Sequence, residues 1–107
     1  MMTFSGTIIV GELSAEDLIG YQMLSRVTDY NTSPCIIVRS LNPDFSVILN
    51  KIRLIITEHG SPLAHLSLIA MEYGKIIIRL DQPLEEIPPC GTLSMTGNAK
   101  HVEIKIL

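Results

Sequence analysis

Aromatic residues and basic clusters are scarce in this chain of 107 residues, and it contains no tryptophan. Aromatic residues make up 5% of the sequence, and the eight Lys and Arg residues are scattered rather than grouped. Proteins that bind nucleic acids usually present a concentrated basic surface with aromatic side chains that stack on bases. Since the net charge is −3, the composition argues against a nucleic-acid partner.

Long apolar segments are also missing, and cysteines are few. No apolar run reaches the roughly 18 residues that a membrane-spanning helix requires, and no basic region followed by an apolar stretch opens the chain. Cys35 and Cys90 are the only cysteines and form no Cys-x-x-Cys pair. Such distant thiols are typical of free, reduced cysteines, although their spacing leaves open whether they could pair. We therefore expect a cytoplasmic protein that contacts no membrane.

Apolar residues are abundant, at 47% of the chain, while charged residues make up 18%. This balance predicts a folded chain rather than a disordered one. A chain of 107 residues is long enough for one hydrophobic core but too short for several. We predict a single domain over residues 1–107.

Short β-branched runs alternate with segments of helical pattern in the middle of the chain. The apolar runs at 35–38, 53–57 and 76–78 have the composition of strands buried on both faces. A short helix from Pro43 through Leu49, after Asn42, separates the first two runs. This order predicts a parallel crossover, in which a helix connects two neighbouring strands.

Both ends of the chain add further elements. Residues 7–10 have the composition of a strand. A capping box starts at Ser14, and the apolar spacing after it predicts a helix. Residues 92–96 and 101–106 alternate in polarity and predict an antiparallel hairpin with a turn at 97–98. The expected fold class is α/β, with central parallel strands, helices and a C-terminal β-hairpin.

Segment 57–70 places a histidine just inside a predicted helix, directly after a strand. Ser61 fits the N-cap and Pro62 the first helical position, which puts His65 at the start of the helix. The three- and four-residue spacing predicts a buried helix face made of Leu63, Leu66, Ala70 and Tyr73. Gly74 fits the C-terminal cap of this helix. A helix N-terminus suits phosphate, because it presents unpaired N–H groups and the positive end of a dipole. A neutral imidazole is a nucleophile near neutral pH, so His65 could carry a phosphoryl group covalently.

The letters T-E-H-G at 57–60 and A-H-L-S-L-I-A-M-E-Y-G at 64–74 resemble the signature of the phosphohistidine domain of PEP-utilising enzymes. That mobile domain occurs in pyruvate phosphate dikinase, phosphoenolpyruvate synthase and enzyme I of the sugar phosphotransferase system. The resemblance implies a swivelling β/β/α domain over the whole chain, with His65 at the position of the phosphorylated histidine. It further implies that the phosphate is supported by Thr57, Gly60 and Ser61.

In that family the phosphohistidine moves between an ATP-grasp domain and a barrel that binds PEP or pyruvate with a divalent metal. The resemblance therefore implies partner proteins of these two kinds acting in trans. It implies Mg²⁺ and ATP or PEP on the partners, and no cofactor or metal on this domain. The chain would then be one component of a PEP- or pyruvate-linked phosphotransferase, incomplete on its own.

Several positions differ from the family pattern. Ser61 replaces the second glycine, Ala64 replaces a serine or threonine, and Met71 replaces an arginine. The last two changes remove a hydroxyl and a positive charge that could hold a phosphoryl group. Two hypotheses follow: a stand-alone phosphohistidine carrier, which His65 favours, and a degenerate binding or regulatory module of the same fold, which Ala64 and Met71 favour.

Other polar residues offer weaker alternatives. Glu58 and Glu72 could orient His65, although exposed carboxylates on a solvated surface are the simpler interpretation. His59 could face the same site, or could be a solvated loop residue. A metal site formed with His101 is disfavoured, because no cysteine or carboxylate spacing supports it.

Overall fold

The computed structural model of the protein describes residues 2–13, 16–97 and 100–107. Seven strands are present in these ranges: β1 (Met2–Val10), β2 (Glu16–Leu24), β3 (Cys35–Ser40), β4 (Leu54–His59), β5 (Ile76–Leu80), β6 (Cys90–Gly97) and β7 (His101–Ile106). The α-helix α1 spans His65–Glu72. Short 3₁₀ helices span Val27–Asp29, Pro43–Lys51 and Leu84–Glu86.

The strands form a closed barrel in the order β1-β5-β4-β3-β2-β6-β7, and β7 pairs with β1 to complete it. The neighbours from β2 to β5 are parallel, and the other pairs are antiparallel. The predicted parallel pairing around the first crossover is confirmed, since β3 lies beside β4 with Ile36 opposite Ile55.

The α/β fold class predicted from the sequence is wrong. An open parallel sheet needs helices on both faces, whereas this sheet closes on itself and encloses one of its faces. Closure depends on hydrogen bonds between β1 and β7, where Met2 lies opposite Ile106. Local sequence patterns do not report a pairing between opposite ends of a chain, so the barrel could not be inferred from them.

The helix predicted after Ser14 is also wrong. The segment forms β2, which is hydrogen-bonded to β3 on one side and β6 on the other. Ile19 is buried while Leu18 is 65% exposed, which is the alternation of a strand. Pairing with two neighbours outweighs the local helical pattern. Ser14 itself, the first residue of the predicted capping box, lies outside the described residues.

The isoleucine runs of the parallel strands are buried on both faces, because successive side chains of a strand point to opposite sides. Side chains that belong to the barrel interior include Ile37, Ile56 and Ile78. Side chains that pack outside the barrel include Ile36, Ile55 and Ile77, together with Leu49, Leu66 and Ala70. The outer cluster therefore fixes α1 and the 3₁₀ helix Pro43–Lys51 against the parallel strands.

The helix start predicted at Asn42 is confirmed. The side-chain Oδ1 of Asn42 accepts a hydrogen bond from the backbone N–H of Asp44 at 2.9 Å, and Pro43 follows in the first turn. The segment is a 3₁₀ helix and ends at Lys51, two residues beyond the predicted end at Leu49.

The C-terminal hairpin is confirmed as well. Strands β6 and β7 are antiparallel, with Leu93 opposite Ile106 and Met95 opposite Ile104. In the predicted turn, Asn98 lies outside the described residues.

Both cysteines are free thiols. Cys35 is fully buried in the barrel interior, as predicted, and Cys90 is exposed on β6. Within the described ranges, no helix combines the length and apolar character that crossing a bilayer demands. The division into a single domain over residues 1–107 stays a prediction.

Candidate functional site

The loop of residues 60–64 connects the end of β4 to the start of α1 and carries the predicted site. The helix begins at His65, with Ala64 as its N-cap, so the predicted start at Ser61 and Pro62 is wrong. The first helical hydrogen bond runs from Leu68 N–H to Ala64 O at 3.1 Å. The N–H groups of residues 65–67 therefore precede the ladder, and Ala64 supplies no side-chain cap for them.

Ser61 stabilises the loop rather than the helix end. Its carbonyl oxygen accepts hydrogen bonds from Ala64 N–H at 3.1 Å and from Ser67 Oγ at 2.6 Å. Its own hydroxyl oxygen accepts from Leu63 N–H at 3.1 Å. Ser67 is fully buried in α1, so this bond ties the loop to the inner face of the helix.

The predicted buried face of α1 is only half correct. Leu66 and Ala70 are buried, whereas Leu63 is 81% exposed and Tyr73 is 56% exposed. Leu63 precedes the helix and Tyr73 is its C-cap, so neither lies on the helical stripe. The chain then turns at Gly74, whose φ of 69° confirms the predicted C-terminal glycine.

His65 is exposed at the first position of α1. This placement puts the residue at the positive end of the helix dipole, in the turn whose N–H groups at 65–67 precede the hydrogen-bond ladder. An anion attached to this ring would meet favourable partial charges without any rearrangement of the helix.

Thr57 and Gly60 shape the backbone that leads into the loop. Thr57 is fully buried, and its hydroxyl donates a hydrogen bond to His59 O at 2.7 Å. A Cβ on Gly60 would lie 2.8 Å from Leu41 Cδ1 and 3.0 Å from Thr57 Cγ2. A side chain at Gly60 would therefore push Leu41 aside and press on a buried methyl group.

Glu58 holds His59 rather than His65. The carboxylate is 12% exposed; its Oε2 accepts from Leu84 N–H at 2.7 Å, and its Oε1 lies 2.9 Å from His59 Nε2. Arg39 Nη1 lies 3.6 Å from the same Oε1. The orienting role considered for Glu58 thus falls on the histidine beside it.

Arg79 brings a positive charge beneath the loop. It lies on β5 opposite Thr57 of β4, is half-buried, and donates from Nη1 to Gly60 O at 3.4 Å. A guanidinium carries five N–H donors, so most remain for another acceptor. The residue that follows the helix alanine, Met71, is 59% exposed and offers no charge.

These elements coincide with the region that a family comparison identifies. The PEP-utilising enzyme, mobile domain, matches residues 32–87, which is more than half of the chain. The chain belongs to the PEP-utilising enzyme mobile domain family. The match runs from the loop before β3 to the segment after β5 and contains α1. No curated protein matches the chain.

Membership of the PEP-utilising mobile domain family confirms the resemblance found in the sequence. In general terms, the chain is a phosphohistidine-carrier-like domain. Its candidate histidine, His65, and the residues named as supporting it lie inside the matched region: Thr57, Gly60 and Ser61.

Three side chains of this region were not predicted from the sequence. Arg79 ends an otherwise apolar run, and that break was the available signal. Ser67 is a polar residue between two leucines of the helix, which indicated a buried hydrogen bond. Arg39 follows the apolar run of β3, and nothing in the local pattern linked it to Glu58.

The three histidines lie apart from any cluster of metal-ligating side chains in the described ranges. His101 on β7 lies opposite Thr7 of β1, and Thr7 in turn lies opposite Arg79 of β5. His101 is therefore two strand spacings, each about 5 Å, away from the arginine that contacts the loop of the candidate site. In the described part of the chain, no group of three or more His, Cys, Asp or Glu side chains is arranged to hold a metal ion.

Proposed function

We propose that this protein is a stand-alone phosphohistidine carrier that accepts a phosphoryl group on His65 and relays it between partner proteins. The observation that carries the proposal is the exposed imidazole at the uncapped N-terminus of α1. Family membership supports the general role, since the matched region contains this histidine and its loop.

The chemistry requires a nucleophile and a site for the phosphoryl oxygens. The imidazole of His65 attacks the phosphorus of the donor, whose leaving group departs with the electron pair of the broken bond. The N–H groups of residues 65–67 then face the phosphoryl oxygens, and the helix dipole favours their negative charge. A phosphoryl group on nitrogen remains easy to transfer, which suits a relay.

The supporting residues act on the backbone in this proposal. Thr57 and Ser61 hold the loop through their hydrogen bonds, and Gly60 lets the loop approach Leu41 closely. Arg79 supplies the fixed positive charge that Met71 does not, because its guanidinium already contacts Gly60 O and keeps further donors.

The partners that we propose are an ATP-grasp-type protein and a PEP- or pyruvate-binding barrel protein, acting in trans. Mg²⁺ and ATP or PEP would bind to these partners, which would make this chain one component of a PEP- or pyruvate-linked phosphotransferase. Family membership supports these partners, because mobile domains of this family act as parts of larger phosphotransfer enzymes.

The test is intact-mass analysis at alkaline pH after incubation with ATP or PEP and lysate from the source cell. We expect an acid-labile adduct of one phosphoryl group in the wild type. The His65→Ala variant should lose the adduct, and His101→Ala, a matched change of another exposed histidine, should keep it. An adduct that forms as fully in His65→Ala as in the wild type would contradict the assignment.

The alternative function is a degenerate binding or regulatory module of the same fold. Two observations favour it: Ala64 offers no hydroxyl at the helix start, and Met71 presents an exposed thioether in place of a charge. The absence of any adduct with every donor would support this module and reject the carrier.

A further inference from the structure

His59 is a second exposed histidine, and contacts hold both its side chain and its backbone in place. His59 ends β4, and its side chain is 72% exposed. Its Nε2 lies 2.9 Å from Oε1 of Glu58, which is itself only 12% exposed. Thr57 fixes the backbone of the same residue by donating to its carbonyl oxygen at 2.7 Å. Ring and backbone of His59 are therefore both held from the inner side.

The Glu58 carboxylate is built into the fold. Its Oε2 accepts a 2.7 Å hydrogen bond from Leu84 N–H, at the start of the 3₁₀ helix Leu84–Glu86. Its Oε1 is shared by His59 and, at 3.6 Å, by Arg39. A carboxylate with these contacts stays in place while its partner reacts, which is the requirement for a positioning group.

The short contact with Glu58 favours one tautomer of His59, because a carboxylate oxygen 2.9 Å from Nε2 stabilises a proton on that nitrogen. The neutral ring then has its free lone pair on Nδ1. A carboxylate partner also stabilises the positive charge that forms on the ring when the other nitrogen is substituted. His59 thus combines an exposed ring, a defined nucleophilic nitrogen and a fixed counter-charge.

Space for a small reactant lies next to the ring. A cavity of about 240 Å³ is lined by Glu58, His59, Leu80, Asp81, Gln82 and Pro83. The carboxylate of Asp81 accepts from Thr7 Oγ1 at 3.3 Å, and the exposed guanidinium of Arg39 offsets the negative charge of Glu58. The cavity has two carboxylates, Glu58 and Asp81, at its lining and the guanidinium of Arg39 beside one of them. These charges suit a compact donor that carries both a positive charge and a negatively charged phosphoryl group.

We propose that the Glu58–His59 pair is a second nucleophilic site, at which Nδ1 of His59 accepts a phosphoryl group from donors with a phosphorus–nitrogen bond. The lone pair of Nδ1 forms a bond to phosphorus while the phosphorus–nitrogen bond of the donor breaks. With phosphoramidate in its protonated-amine form, ammonia leaves with the electron pair of that bond. The proton on Nε2 stays between the ring and Glu58, whose negative charge balances the charge of the product.

The experiment uses the full chain and phosphoramidate as the donor. Wild type, His65→Ala and His65→Ala combined with Glu58→Gln are incubated with phosphoramidate, quenched at alkaline pH and mapped by mass spectrometry. We expect His59 to be labelled in His65→Ala at the wild-type rate, and the labelling rate to fall about tenfold when Glu58 loses its charge. Glu103→Gln, which removes an exposed carboxylate on β7, is the matched control and should leave that rate unchanged.

A second readout separates positioning from a merely structural role. Phosphorus NMR distinguishes the two phosphohistidine isomers, and the structure assigns the Nδ1 isomer to His59. Glu58→Gln should give a mixture of isomers, because the ring is no longer held in one tautomer. Since glutamine can still accept from Leu84 N–H, we expect Glu58→Gln to remain folded, which circular dichroism checks.

The outcomes bear separately on the two proposals. Labelling of His59 at the same rate with and without the Glu58 charge, or labelling through Nε2, would overturn the second site. The result leaves the carrier proposal untouched, because that proposal concerns His65 and the donors ATP and PEP. Conversely, loss of any adduct on His65 would reject the carrier without affecting the phosphoramidate measurement on His59.

Discussion

Ser67 donates a 2.6 Å hydrogen bond from within α1 to the carbonyl oxygen of Ser61, four residues before the helix begins. This bond joins a fully buried helix residue to an exposed loop residue, and it orients the loop that precedes His65. The position of the candidate histidine therefore depends on a contact between the loop and the buried side of the helix.

Replacement of Ser67 by alanine should lower the free energy of unfolding by about 1 kcal/mol, because a buried hydroxyl and its hydrogen bond are lost. Ser61 O keeps its bond from Ala64 N–H, so the loss should stay near this value. Urea unfolding measures it. Ser25→Ala is the matched control, since Ser25 is exposed and should change stability by less than about 0.5 kcal/mol. Equal effects of the two variants would contradict the role of this bond.

Replacement of Gly60 by alanine should destabilise the fold by about 1–3 kcal/mol, because the new methyl group meets Leu41 and Thr57 at contact distances that require a shift. The matched control is Gly20→Ala, where the nearest atom to a new Cβ is Gly91 O at 3.9 Å. Thermal unfolding followed by circular dichroism compares the two variants. A Gly60→Ala variant as stable as Gly20→Ala would show that the loop has more room than its contacts indicate.

The buried side chains of Cys35 and Tyr21 are weak acids, and we expect them to lower the free energy of unfolding at high pH. Burial raises the pKa of the Cys35 thiol above its ordinary value of 9.0. Burial, with smaller contributions from Cys90 and Cys35, raises the pKa of Tyr21 above its ordinary value of 10.0. The unfolded chain therefore loses these protons first. The contribution of these groups to the free energy of unfolding is fully present below about pH 9 and decreases as the pH rises further.

Urea midpoints measured between about pH 7.5 and about pH 10.5 test this pH dependence. We expect the decrease to be clearly smaller in Cys35→Ala, which lacks the buried thiol, and to stay close to the wild-type slope in Cys90→Ala, which removes an exposed thiol and only a minor influence on Tyr21. The same slope in wild type and Cys35→Ala would show that the buried thiol does not cause the decrease.

Arg79→Gln should slow phosphorylation of His65 about tenfold, because a donor and a positive charge near the phosphoryl oxygens are removed. Stability should change little, since the lost contact to Gly60 O is long, at 3.4 Å. The rate of adduct formation by intact mass is the measurement. Arg26→Gln removes an exposed arginine that pairs with Asp29 instead and should react at the wild-type rate. An unchanged rate in Arg79→Gln would remove Arg79 from the site.

Part of this fold could be predicted from the sequence. The three isoleucine-rich strands were found because both of their faces are buried, which makes the runs continuously apolar. Asn42 with Pro43, and Gly74 after α1, gave correct boundaries because caps and positive φ angles act through neighbouring residues. These features are local in the chain, so local patterns report them.

The remainder depends on contacts between distant residues. The pairing of Met2 with Ile106 closes the barrel, and the pairing of β2 with β6 turns a helical pattern into a strand. The start of α1 was placed three residues too early because Ser61 and Pro62 have the chemistry of a helix start, while the buried Ser67 directs Ser61 into the loop. The choice of His65 as the phosphoryl-bearing residue stays a prediction, whereas Arg79 reaches the loop only through the pairing of β4 with β5.

The most direct test of the carrier proposal is to locate the phosphoryl group on the chain. After incubation with ATP or PEP and source-cell lysate, an alkaline peptide map should place one acid-labile phosphoryl group on His65. The group should be absent from His65→Ala and present in His101→Ala. A map that shows no phosphoryl group on His65 with either donor, while the protein remains folded, would contradict the proposal.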